Sequence, residues 1–148
     1  MDKTLVLIKP DAVERNIIGE VISFYEKNGL KISGLKMLKA PTETAKLHYS
    51  EHEGRPYFDE LISYITRSPL CALIVEGENA ISRVREINGN TDPAKADKNT
   101  IRGSLALSKT ENSVHASDSP ENAEREINIW FQDEKDLSQN EYLVLTTV

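Results

Sequence analysis

The chain has 148 residues, 39% hydrophobic and 28% charged, a balance that predicts one globular domain burying roughly 70% of the surface its unfolded chain exposes and disfavours a disordered or membrane protein. The net charge of -6 argues against broad nucleic-acid binding, which depends on many Lys and Arg side chains neutralising phosphates, yet one local basic pocket would still suit a small phosphorylated ligand. A single cysteine, Cys71, cannot close an internal disulfide, the N-terminus lacks a signal-peptide core, and no apolar run reaches membrane-spanning length, so a cytoplasmic protein is expected.

The first predicted element is a buried strand, "TLVLIK" from Thr4 to Lys9, stopped by Pro10, with Asp11 placed to cap the helical segment after it. In "IIGEVISFYEKNG", Ile18, Val21, Ile22 and Tyr25 fall at helical spacing, and Gly29 closes the helix. Leu30 to Ala40 alternates as a second strand with one solvated face. A short helix, "TETAKLHYSEH", leads through "GRP" into another from about Tyr57 to Arg67. The third strand, Leu70 to Gly77, is almost wholly apolar and is predicted to be central; Cys71 within it reads as a small buried hydrophobe. "NAISRVREING" is a helix ending at Gly89, and Asn90 to Gly103 is a long polar loop of the kind that carries function. "NSVHAS" is a short fourth strand. "SPENAEREINIWF" is the last helix, with Ser119 as cap and Pro120 at its first position. Alternating strands and helices predict one sheet with helices packed on it, an α/β sandwich. The whole chain, 1–148, reads as a single domain, with 132–148 a tail whose apolar end "YLVLTTV" docks on the domain or on a neighbouring subunit.

Several familiar chemistries fail on their motifs. "GLKISGLK" has the outer glycine spacing of a P-loop, but Leu35 and Lys36 stand where Lys and Ser/Thr are required, and there is no GxGxxG. His48 and His52 lie four apart in "HYSEH", but Tyr49 occupies the place where a zinc enzyme needs glutamate; both histidines read as partly exposed helix residues. His115 offers more. An ordinary imidazole, with a pKa of ~6.5, is a good nucleophile near neutral pH and can accept and pass on a phosphoryl group. Glu126 shares a helix face with Ala123 and Trp130, so its carboxyl points inward and needs a partner; His115 is an economical one, and Ser117 can bond either group. On these residues alone His115 could equally fill a turn.

The wider pattern favours the nucleophile. "NSVHASD" resembles the active-site signature of the nucleoside diphosphate kinases, N-x-x-H-G/A-S-D. "TLVLIKPDAVERNIIGEVISFYEKNGLKISGLKM", "HYSEHEGRPYFDELISYITRSP" and "NGNTDPAKADKNTIRG" resemble other segments of that family in collinear order, covering nearly the whole chain to Phe131. The resemblance implies a ferredoxin-like fold with a four-stranded antiparallel sheet. It also implies ping-pong transfer of a γ-phosphoryl group from a nucleoside triphosphate to a diphosphate through a phosphohistidine on His115. Glu126, Ser117 and Lys9 would serve the chemistry. Lys9, Tyr49, Tyr57, Arg85, Thr91, Arg102 and Asn112 would hold the nucleotide, with Tyr57 stacking on the base and Asn112 at the ribose. Arg55 suits a structural ion pair as readily as a phosphate. Mg²⁺ is implied as a rider on the nucleotide phosphates, with no protein metal site. So is a homo-oligomer, hexamer favoured over tetramer because of the long tail. A phosphohistidine relay or a non-catalytic binding member of the family are the alternatives. Ala116, Lys98, Asn99 and Leu105 depart from the commonest family residues without removing a chemical group, though they bear on loop packing.

Overall fold

The structure, a computed structural model, describes residues 2–109 and 111–131. The predicted tail, 132–148, lies outside the described residues. Four strands, β1 (Asp2–Ile8), β2 (Lys31–Leu38), β3 (Leu70–Gly77) and β4 (Val114–Ala116), form one sheet in the order β2-β3-β1-β4. Every pairing is antiparallel, which makes the sheet ferredoxin-like. Among the described residues seven α-helices connect and cover it: α1 (Pro10–Glu14), α2 (Ile18–Lys27), α3 (Thr42–His48), α4 (Phe58–Thr66), α5 (Ala80–Asn88), α6 (Ile101–Leu105) and α7 (Pro120–Trp130).

The apolar runs 5–8 of β1 and 70–75 of β3 have a direct cause: both strands are interior and these stretches are covered on both faces. Val6 and Ile8 join Cys71, Leu73 and Val75 in a cluster with Val21 and Tyr25 of α2 and Val84 of α5. Leu5 and Leu7 turn the other way, toward Ala45 of α3, Ile62 and Ile65 of α4, and Trp130 at the end of α7. Fully burying one such large side chain contributes roughly 1.5–3 kcal/mol, so two opposed layers hold the sheet centre rigid. The Cys71 thiol is buried, and burial pushes its pKa up to about 11. None of the helices among the described residues is long and apolar enough to cross a membrane.

Three local expectations need correction. Asp11 is not a cap: α1 starts at Pro10, and the buried Asp11 carboxylate accepts hydrogen bonds from Tyr64 and from Ser113 Oγ at 3.2 Å. In β2 the register shifts between Ile32 and Gly34, so the apolar phase moves from Ile32 to Leu35 and Met37 across a bulge at Ser33; those two side chains, opposite Leu73 and Cys71, are exposed. The segment from Asn90 to Gly103 is less open than predicted, because it holds a one-turn helix, Pro93–Lys95, and the start of α6. The predicted ends of α2, α5 and α7 match closely. Gly29 and Gly89 stand at positive φ just past their helices, and Ser119 Oγ accepts the Asn122 N–H at 3.1 Å.

Gly103 anchors that loop. A Cβ there would stand 2.6 Å from the Asp97 carbonyl carbon and closer still to its oxygen, whereas one at Gly19 on α2 meets open space. Gly103→Ala is expected to lower stability by about 1–3 kcal/mol through overpacking. Gly19→Ala should raise it by up to about 1 kcal/mol through helix propensity. Paired thermal melts check the contrast; equal shifts for both variants would contradict it.

Candidate active site

β4 is only three residues long, and its placement builds the site. Leu7 pairs with His115, which turns that side chain toward the α7 side of the sheet, while Val114 and Ala116 enter the opposite core. Just before β4, Ser113 holds a left-handed conformation at φ 73°, a strained one for a non-glycine residue. Its carbonyl accepts the Lys9 backbone N–H at 2.9 Å, which fixes the end of β1 against the start of β4.

Above β4, Glu126 on the inner face of α7 is buried and its Oε1 lies 2.8 Å from His115 Nε2. Ser117 Oγ, also buried, donates to the same oxygen at 2.7 Å, and Arg125 approaches Oε2 at 3.5 Å. Ala123, Glu126 and Trp130 are the buried residues of α7, the face that the helical spacing predicted. A carboxylate accepting at Nε2 keeps the imidazole proton there and leaves the Nδ1 lone pair free.

His115 lines a polar cavity of about 420 Å³ together with Lys9, Arg85, Thr91, Arg102 and Asn112. Lys9 Nζ donates to Asn112 Oδ1 at 2.9 Å, and the Asn112 amide donates to the carbonyls of Lys109 at 3.0 Å and Thr91 at 3.3 Å. The amide is thereby fixed in orientation. Burial, then the charge of Arg102, push the Lys9 pKa down to about 8, with Asp11 opposing. Arg102 donates to the Gly89 carbonyl at 2.7 Å and the Val114 carbonyl at 2.8 Å, tying the loop from α5 to β4, while its buried Nε has no partner among the described residues. Three cations, a hydroxyl and an imidazole around one polar cavity are suited to attracting a polyphosphate and presenting a nitrogen nucleophile to it.

Other predicted residues stand outside the cavity lining. Tyr49 is buried behind the site, its ring 4.7 Å from that of His48; burial, then the Glu126 charge, push its phenol up to about 12. Tyr57 is exposed and its hydroxyl lies 2.7 Å from His52 Nδ1; His52 in turn approaches Glu51, a lining residue, at 3.7 Å. Arg55 is exposed.

His48 is not the partly exposed helix residue that its spacing from His52 predicts. It is the last residue of α3, 3% exposed, and its Nδ1 accepts from Trp130 Nε1 at 3.0 Å. His52 belongs to a separate one-turn helix, Ser50–His52, so the pair does not share a helix face. Asp118, the last residue of the NSVHASD signature, also lines the cavity, as does Asn122, which no sequence signal marks; Asn122 donates to the Asp118 carboxylate, which with Arg85 nearby holds it below the ordinary range.

Possible metal ligands converge among the described residues at His48, His115 and Glu126, whose ligand atoms lie within 4.8 Å of one another. Their hydrogen bonds already use them. The indole N–H at His48 Nδ1 places the proton of that neutral ring on Nε2, and Glu126 occupies His115 Nε2. Imidazole nitrogens are also poor ligands for a hard cation such as Mg²⁺.

Comparison with known proteins finds similarity to one family over most of the chain. The family described as nucleoside diphosphate kinase matches residues 2–135. A nucleoside diphosphate kinase of Clostridium perfringens is 58% identical over 131 residues, 88% of this chain and 92% of the relative. One from Sulfurisphaera tokodaii is 55% identical over 135 residues, covering 91% of this chain and 92% of its own length. A crystal structure of the Aquifex aeolicus nucleoside diphosphate kinase superposes with a TM-score of 0.85 at 41% identity, covering 88% of this chain and 94% of that one.

Proposed function

The chain belongs to the nucleoside diphosphate kinase family, and from that premise we propose that it transfers the γ-phosphoryl group of a nucleoside triphosphate to a nucleoside diphosphate through a phosphohistidine on His115. The observation that carries this reading is the His115–Glu126 pair at 2.8 Å on the wall of a cavity that Lys9, Arg85 and Arg102 also line.

In the first half-reaction the Nδ1 lone pair attacks the γ-phosphorus. The N–P bond forms as the bond to the β–γ bridging oxygen breaks, and the diphosphate leaves with that electron pair. In the second, a terminal β-phosphate oxygen of another nucleoside diphosphate attacks the same phosphorus, the N–P bond breaks, and the imidazole lone pair returns. Glu126 keeps the ring proton on Nε2 and offsets the charge that builds there, and Ser117 holds the carboxylate. Lys9, Arg85 and Arg102 neutralise the transferring group, the largest contribution in this kind of chemistry. Thr91 adds a hydroxyl donor to phosphate. The Asn112 carbonyl oxygen, already turned by its backbone contacts, meets the ribose. Tyr57, outside the cavity next to His52 and Glu51, stacks on the base without reading its edges, which tolerates every nucleobase. Tyr49 supports the site from behind.

Mg²⁺ enters as the nucleotide complex, because the one convergent His/Glu group among the described residues suits it poorly. The 148 residues act as one domain in a homo-oligomer, a hexamer in preference to a tetramer, with the tail docked on the domain or its neighbour. The lone buried thiol of Cys71 fits a cytoplasmic enzyme. The acidic balance fits neither nucleic acid nor an anionic membrane as partner.

Initial rates with donor and acceptor both varied test the reading. Parallel double-reciprocal lines are expected, since one substrate leaves before the next reacts. Intersecting lines would mean direct transfer in a ternary complex and would remove His115 from the covalent pathway.

A further inference from the structure

We propose that His48 is a positioning residue for His115: its buried ring, fixed by Trp130, is the wall that stops the reactive imidazole from swinging away from its in-line orientation. The proposal rests on His115 being the phosphoryl acceptor.

Among the described residues His115 has one polar anchor on its ring, the 2.8 Å bond from Nε2 to Glu126, and its side chain is 24% exposed on a three-residue edge strand. A ring held at Cβ and at one nitrogen can still rotate about the line joining them. Such a rotation moves Nδ1, the atom that must meet phosphorus. Only contact against the ring stops it. His48 supplies that contact, with ring centroids 4.6 Å apart and planes at 81°. The wall is itself immobile. His48 packs in the same edge-to-face manner against Tyr49 at 4.7 Å and Trp130 at 5.6 Å. These contacts link the ends of α3 and α7, so the wall and the Glu126 anchor belong to one rigid body.

Histidine meets two demands that other flat side chains do not meet together. The buried Trp130 N–H can only donate, so it needs an acceptor, and Nδ1 is that acceptor at 3.0 Å. A neutral imidazole carries one proton, which this bond confines to Nε2. Burial, with the neighbouring His115, Arg125, Lys9 and His52, holds the His48 pKa well below its ordinary value, so the ring adds no charge beside the nucleophile.

Two substitutions separate the wall from the bond. His48→Asn keeps an acceptor near the Nδ1 position but removes the ring; His48→Phe keeps a flat ring and leaves the Trp130 N–H unpaired. The readouts are the single-turnover rate of His115 phosphorylation by labelled ATP with Mg²⁺, the nucleotide Kd and the melting temperature. His48→Asn is expected to lose about ten- to a hundredfold in rate with Kd within about twofold, the pattern of a misplaced reacting atom with binding intact. His48→Phe should be the less stable variant yet keep more of the rate. In the wild type, ¹⁵N shifts should show a bare Nδ1 and a protonated Nε2 on His48. A wild-type rate in His48→Asn, rates that follow melting temperature, or the opposite tautomer would each overturn the proposal. If wild-type His115 takes no label, the kinase reading fails first; if it labels normally and His48→Asn does too, only the positioning role falls.

Discussion

Replacing His115 with alanine is expected to abolish phosphoryl transfer, by at least about 10⁴-fold, the scale on which loss of a covalent nucleophile is felt. The fold should survive. The His115 side chain is partly exposed, and β4 is held by backbone pairing with β1. Its removal does not orphan the buried carboxylate either, since Glu126 keeps the Ser117 hydroxyl at 2.7 Å and Arg125 at 3.5 Å. The melting temperature should therefore move by only a few degrees while turnover disappears. Full turnover from a folded His115→Ala protein would mean that another group carries the phosphoryl.

Lys9 gives the second large effect. Its ammonium lies beside Asn112 Oδ1 at the end of β1, in a cavity that also holds Arg85 and Arg102. Lys9→Met keeps most of the volume and removes the charge, and should lower kcat/KM by about 10²–10³-fold, as loss of one preorganised transition-state donor does. The pH profile carries the same information. Burial and Arg102 lower the Lys9 pKa from 10.5 to about 8, so in the free enzyme the charge is present below that pH and lost above it. kcat/KM, which reports the free enzyme, should fall as pH rises through about 8. kcat should fall at a higher pH, because bound phosphates favour the charged amine. Stability moves the other way. The folded pKa is depressed, so the unfolded chain binds more protons between about pH 8 and 10.5, and Lys9's contribution to stability rises across that window. Lys9→Met should abolish that rise. A flat kcat/KM from pH 7 to 9 in the wild type would contradict the assignment.

The parts of the site legible in the sequence are those fixed by local rules. Ala123, Glu126 and Trp130 recur at helical spacing, so the inward carboxyl of Glu126 can be read from α7 alone, and Ser119, Gly29 and Gly89 mark helix ends by their own conformational needs. Pairing between distant segments is not legible that way. That the sheet is antiparallel follows from family resemblance, because a strand buried on both faces looks the same in a parallel or an antiparallel sheet, and the order β2-β3-β1-β4 is seen only in the structure. The burial of His48 is hidden because its acceptor role depends on Trp130, 82 residues away, and that of Asp11 because its partners, Tyr64 and Ser113, come from α4 and the turn before β4. Tyr49 and Tyr57, assigned by resemblance, lie outside the cavity lining. The bulge at Ser33 leaves a trace in the sequence, a shift of apolar residues from even to odd positions in β2.

The central claim is that His115 carries the phosphoryl group between two nucleotides. Incubation with γ-labelled ATP and Mg²⁺, without acceptor, should place label on the protein that is lost in acid, kept in base, located on the peptide containing His115, and discharged when a nucleoside diphosphate is added. Folded protein that binds nucleotide yet takes up no label, or holds it on another residue, would contradict the account.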